Sequence, residues 1–275
     1  MSRRPAPDRY VDGVPFFDNA GVRIHFSERG DTDGQPLVLI HGLLLSSRMM
    51  RRLASYLPEQ RVLLIDVRGH GASDKPTDAA AYSWSSLASD VIGLLDHLGL
   101  ERAVVGGLSL GANVTLATGN EAPERVAGMI VEMPVLDGSE WAARPVFGAL
   151  ATMLDVGAPV LGPFGRAVSH LPLPGHVPEL ALVRDVLSLR PKSGAALVHG
   201  LLADELLLDD LDVPRLTMPT LVIGHGGDPL HALDDARALA ALLPDAQLDV
   251  RHTIADYRVK PQQLARLLGD FLARC

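Results

Sequence analysis

The residues with the clearest chemical meaning in this 275-residue chain are Gly107-Leu108-Ser109-Leu110-Gly111. The apolar run Ala103-Val104-Val105-Gly106 precedes them, and Ala112-Asn113-Val114-Thr115-Leu116-Ala117, which reads as a helix, follows. Strand, G-x-S-x-G, helix describes a sharp chain reversal that lifts a serine hydroxyl clear of a sheet. Glycine at both ends removes Cβ atoms for which the reversal has no room, and lets Ser109 take a strained backbone conformation. The hydroxyl then sits at a helix N-terminus, where negative charge is favoured. A serine so placed becomes a nucleophile once a base takes its proton. The bland alternative is a glycine-rich strand-to-helix turn without chemistry.

The elements that must position this serine follow from apolar patterning. Residues 37–40, 61–66, 103–106, 126–133 and 220–224 each hold a mainly apolar run without polar alternation, the mark of strands buried on both faces. Residues 14–18 and 22–27 flank Asn19-Ala20-Gly21 and read as an antiparallel hairpin. Helices are expected at 48–57, at 83–98 with Ser83 or Ser85 as cap, at 236–243, and at 261–273 with Pro261 at a favoured first position. Residues 247–252 read as a further strand. Strands alternating with helices imply parallel βαβ units. The expected fold is α/β: a doubly wound, mostly parallel sheet with a helical cap insertion.

The insertion breaks the alternation. Residues 1–137 and 213–275 form the expected core, and 138–212 the cap. Its helical segments, near 141–154, 180–189 and 194–208, are divided by Pro159, Gly162-Pro163, residues 171–175 and Arg190-Pro191. Phe147, Met153, Leu154, Val160, Phe164 and Leu171 give it an apolar character that suits a hydrophobic substrate.

Composition narrows the classes. Hydrophobic residues make up 47%, enough for a large core, and the net charge is −8. Nucleic acid and anionic membrane surfaces call for clustered Lys and Arg, so neither is expected as a partner. The basic run at 48–52 reads as a solvated helix face. The one cysteine, Cys275, excludes an internal disulfide and a Cys/His metal cluster, and suits a cytoplasmic setting. No signal-peptide core and no uninterrupted apolar run of ~18 residues is present, so no membrane span is expected.

Three ordered motifs join the serine. His41-Gly42 follows one buried strand, Asp66-Val67-Arg68-Gly69-His70-Gly71-Ala72-Ser73 follows the next, and Gly224-His225-Gly226-Gly227-Asp228 ends a later one. Together with the serine turn they resemble the α/β-hydrolase fold superfamily from about residue 14 to the C-terminus. The resemblance implies Ser109 as nucleophile, the backbone N–H groups of Leu43 and Leu110 as oxyanion donors, and Asp228 as the acid of a triad. Each of two aimed N–H groups is worth ~10²–10³ in rate. His41, Arg68, His70 and Asp66 have structural roles as their default reading. Glu132 and Asp137 are reserve candidates for the acid. His25, His97, His170, His176 and His199 lie in no motif.

The triad histidine departs from the family pattern. The resemblance places it after the last strand, near Ile254 or Asp256, and the region 248–261 contains no Gly-His. His252 is the one histidine there, sharing a strand face with Leu248 and Val250 by alternation. His231 is the second candidate, three residues after Asp228. These residues imply a serine hydrolase acting on a small hydrophobic ester, lactone or related carbonyl substrate, with no cofactor or metal. A homo-oligomer is left open. The rival expectations are a ligand-binding pseudoenzyme and a C–C bond hydrolase. A carboxylate-nucleophile dehalogenase or epoxide hydrolase is disfavoured by Ser109.

Overall fold

The computed structural model describes residues 16–169, 185, 190–228, 230–253 and 260–275. The expectations for the first residues, for the helix at 180–189 apart from residue 185, for His170 and His176, and for positions 254 and 256 lie outside the described residues.

Eight strands form one sheet: β1 (Phe16–Asn19), β2 (Val22–Gly30), β3 (Pro36–Ile40), β4 (Arg61–Asp66), β5 (Ala103–Leu108), β6 (Val126–Glu132), β7 (Thr220–His225) and β8 (Ala246–Arg251). Their order is β1-β2-β4-β3-β5-β6-β7-β8. The hairpin β1–β2 and the β2–β4 pair are antiparallel, and every other neighbour is parallel. The continuous apolar runs are explained by burial on both faces. Val38, Ile40, Leu63, Ile65, Val105 and Val131 pack on one side against Leu87, Val91, Leu94 and Val114. Leu37, Leu39, Val62, Leu64, Val104 and Ile130 pack on the other against Leu53, Leu264, Leu268 and Phe271. The period-two division of side chains thus feeds two apolar layers at once.

The covering helices are α1 (Arg51–Ala54), α2 (Trp84–His97), α3 (Leu110–Glu121), α4 (Asp137–Ser169), α5 (Pro191–Ala203), α6 (Leu233–Leu242) and α7 (Pro261–Leu272). Ser83 caps α2 by accepting the Ser86 N–H at 3.0 Å. The helix expected at 48–57 is a 3-10 turn, Ser47–Met50, followed by the single turn α1. Arg48 there is paired with Asp185 at 3.2 Å, so this run is not simply a solvated face.

The insertion departs from expectation in one respect. Pro159 and Pro163 do not end a helix: α4 runs 33 residues through Pro145, Pro159 and Pro163. Continuity turns Met153, Val160 and Phe164 outward, where they are 55%, 74% and 54% exposed, while Leu154 is buried. Of the apolar side chains expected over the serine, Phe147 is the one among the described residues that reaches the pocket. Trp141–Gly165 is long and apolar enough to cross a bilayer by length and composition alone.

Candidate active site

The serine turn has the strain its sequence implies. Ser109 stands between β5 and α3 at φ 55° and ψ −114°. A Cβ at Gly107 would lie 2.3 Å from the Gly111 carbonyl carbon, and one at Gly111 would lie 2.4 Å from the Ile40 oxygen. Both contacts are with backbone, so only glycine allows α3 to come this close to β5 and β3. The Ser109 N–H donates to Glu132 O at 2.8 Å, which fixes the turn to the end of β6. Leu110 opens α3, so its N–H lies outside the helix's own bonding ladder. Leu43, Ser109 and Leu110 line one pocket.

It is His231, not His252, that the structure sets against this serine. His231 Nε2 and Ser109 Oγ are 2.9 Å apart. His231 Nδ1 lies 3.1 Å from Asp228 Oδ2, close enough for an ion pair, though the two are not lined up as a hydrogen bond. The other carboxylate oxygen of Asp228 accepts the N–H groups of Leu230 and His231 at 2.8 and 3.1 Å. The same carboxylate therefore shapes the loop and faces the imidazole. Burial opposes its charge, but the Leu230 N–H and the nearby His231 ring hold the Asp228 carboxyl below the usual range.

His252 is exposed just past the end of β8. The face it was expected to share with Leu248 and Val250 is not a core face, since those side chains are 38% and 46% exposed. The reason is topological. β8 is the last strand of the sheet, and alternation there separates two faces without burying both.

The remaining candidates take structural roles. Asp66 accepts the N–H groups of Ser47 and Ala72 at 2.6 and 2.9 Å and meets His25 Nδ1 at 2.9 Å. Burial works against its charge, but the His25 hydrogen bond, the His41 ring and the Ala72 N–H together hold the carboxyl far down. Arg68 forks onto Asp90 at 2.9 and 2.7 Å and so ties the loop after β4 to α2. Glu132 faces His225 Nε2 at 3.1 Å, not His231. Asp137 accepts the Leu208 N–H at 2.9 Å. His97 stacks on Phe17, and His199 pairs with Asp155 at 2.9 Å.

His41 and His70 are buried with ring centres 4.7 Å apart. Nδ1 of His41 meets Gly42 O at 2.9 Å, and Nδ1 of His70 meets Arg68 O at 3.0 Å. Burial lowers both, and His70 falls to about 3. A histidine in an unfolded chain protonates near ~6.5. Between that pH and about 3 the unfolded state therefore binds a proton that folded His70 refuses. Stability falls as the pH falls through this window, by up to ~1.4 kcal/mol per pH unit for this group. Urea unfolding of His70→Asn is expected to show a shallower loss between pH 6.5 and 4 than the native chain. Equal slopes would refute this account.

Over Ser109 lies a cavity of about 100 Å³. The core lines it with Leu43, Trp84, Leu110 and Asn113, and the insertion with Ala143, Phe147, Val198 and Leu201. Its charged lining residues, Arg144 and Glu205, contact each other. No group of three or more His, Cys, Asp or Glu side chains arranged to hold a metal occurs among the described residues.

The sequence matches the α/β hydrolase fold family over residues 35–253. A 2-hydroxymuconate semialdehyde hydrolase from Pseudomonas putida is 30% identical over 275 aligned residues, covering 92% of each chain. Another of the same name, from Pseudomonas sp. (strain CF600), is 29% identical with the same coverage. A solved hydrolase from Pseudomonas aeruginosa PA01 superposes with a TM-score of 0.75 at 26% identity, over 95% of this chain and 99% of that one. The enol-lactonase from Burkholderia xenovorans LB400 has the same fold, with a TM-score of 0.75 at 23% identity, over 94% and 100% of the two chains. The family match spans most of the chain, and the strand order and serine turn described above accord with it: this protein belongs to the α/β hydrolase fold family.

Proposed function

We propose that the protein is a serine hydrolase of small, uncharged, apolar esters or lactones, working through an acyl-enzyme. The observation that carries this reading is the 2.9 Å approach of His231 Nε2 to Ser109 Oγ. A general base must come within about 2.6–3.2 Å of the proton-bearing atom it serves. Ser109 Oγ attacks the substrate carbonyl carbon while its proton passes to His231 Nε2. The imidazolium so formed is attracted to the Asp228 carboxylate, and that attraction depends on proximity more than on alignment. The N–H groups of Leu43 and Leu110 stabilise the new oxyanion. The tetrahedral intermediate collapses, and the leaving alcohol takes the proton from His231. Water then attacks the acyl-enzyme with His231 again as base, which releases the acid and restores Ser109.

The substrate class rests on the cavity. Its walls are mainly leucine, valine and aromatic surface, and the cationic Arg144 is already engaged by Glu205. The helical insertion acts as the cap, since α4 and α5 supply one side of the cavity over Ser109. The relatives named as hydrolases favour turnover over a pseudoenzyme.

The test is a fluorophosphonate probe, followed by mass spectrometry of the full chain. Labelling is expected at Ser109 and absent in Ser109→Ala. A folded protein that the probe leaves unlabelled would defeat the reading. Neutral p-nitrophenyl butyrate is expected to be turned over with at least ~10-fold higher kcat/KM than the p-nitrophenyl hemiester of succinate, because a buried unpaired carboxylate is costly.

A further inference from the structure

The loop that carries His231 is bonded to the helical insertion as well as to the sheet. Ala232, the next residue, donates its N–H to Ser139 Oγ at 2.7 Å. Asp235, only 2% exposed, accepts the N–H groups of Leu136, Gly138 and Ser139 at 2.9, 2.7 and 3.0 Å. Its own N–H returns to Ala232 O at 3.0 Å. A carboxylate is favoured at the start of a long helix such as α4. This one comes from the opening turn of α6, so it also joins the two helix starts.

The other end of the same segment is held by the nucleophile's helix. Asn113 lies one turn beyond Ser109 on α3. Its side-chain amide donates to Val135 O at 2.7 Å and accepts the Val135 N–H at 2.9 Å. Residues 135–139 are therefore bonded on one side to the element bearing Ser109 and on the other to the loop bearing His231.

We infer that Ser139 and Asp235 are positioning residues for His231, an inference that rests on His231 being the base. Neither touches the reacting atoms. They hold the loop so that Nε2 stays within proton-transfer distance of Ser109 Oγ. Ser139→Ala takes the acceptor from the Ala232 N–H. Asp235→Asn keeps the side-chain volume but replaces one accepting oxygen with an amide that donates. Either change lets the imidazole drift, and misplacement of the reacting geometry by about 1 Å is worth as much as ~10² in rate.

The experiment measures p-nitrophenyl butyrate turnover, fluorophosphonate labelling and Tm on the purified full chain. Native protein, Ser139→Ala, Asp235→Asn, Ser109→Ala and His231→Ala are compared. For Ser139→Ala kcat is expected to fall ~10-fold, and for Asp235→Asn ~30-fold or more, with KM within about twofold. The rate constant for labelling should fall by the same factors while labelling still runs to completion. The inference is overturned if both variants keep kcat within twofold while Ser109→Ala and His231→Ala are inactive. It is equally overturned if the losses appear only as a smaller labelled fraction and a lower Tm, with an unchanged rate constant in the folded part. If Ser139→Ala does not fold, the Asp235→Asn labelling rate decides. Full activity in His231→Ala would instead remove the base itself, and with it both the hydrolase reading and this inference.

Discussion

Replacing His231 with alanine is expected to lower kcat/KM for a p-nitrophenyl ester by ~10³ or more, whereas His252→Ala should stay within about threefold of the native chain. The contrast follows from distance. His231 Nε2 stands 2.9 Å from the serine oxygen, and its other ring nitrogen faces Asp228. Without the imidazole, a neutral serine hydroxyl must lose its proton to water, and its nucleophilicity collapses. His252 is exposed at the end of an edge strand. Steady-state kinetics on the two variants and on Ser109→Ala, with Tm as a control for folding, decide the matter. Loss of activity in His252→Ala with retention in His231→Ala would reverse the assignment. The serine and histidine deletions should also be strongly non-additive, since each removes the same nucleophilic unit.

The second large effect is expected at the turn itself. Gly111→Ala should cost about 1–3 kcal/mol of stability and lower kcat by ~10² in the protein that still folds. The added methyl would meet the Ile40 oxygen at 2.4 Å and its carbonyl carbon at 2.8 Å. Ile40 ends β3, which is hydrogen-bonded on both sides by β4 and β5, so its backbone has nowhere to move. The first turn of α3 must then lift, carrying Leu110 and Ser109 away from Leu43 and His231. Thermal denaturation and ester kinetics read the two consequences separately. A variant with native Tm and native kcat would show that the close approach of α3 to β3 is not needed.

Much of this architecture was legible in the residues. Continuous apolar runs at 37–40, 61–66 and 220–224 fall on β3, β4 and β7, because a strand covered on both faces has no polar side to show. Alternation says less at an edge. Residues 247–252 read as a strand with Leu248, Val250 and His252 on one face, yet β8 is the last strand of the sheet and exposes Leu248 and Val250. Proline also misleads in the insertion, where it signals a helix end in general but α4 passes through three of them. Asp235 gave no signal at all. It stands beside Asp234 at a helix start, where acids are ordinary, and its burial comes from α4, nearly a hundred residues earlier.

By itself the sequence determined the sharp turn at Ser109, the order of strands and helices, and the placing of Asp228 in the loop after β7. Each depends on local rules: glycine where backbone meets backbone, apolar continuity where a strand is doubly covered, a strand end followed by a short loop. The tertiary structure alone decided which histidine stands beside the serine. Two rings sat in adjacent loops with similar local sequence claims, and nothing within either loop measures its distance to Ser109. That distance exists only once β5 and β7 are held on either side of β6, which brings residues 109 and 231 together across 122 positions of chain.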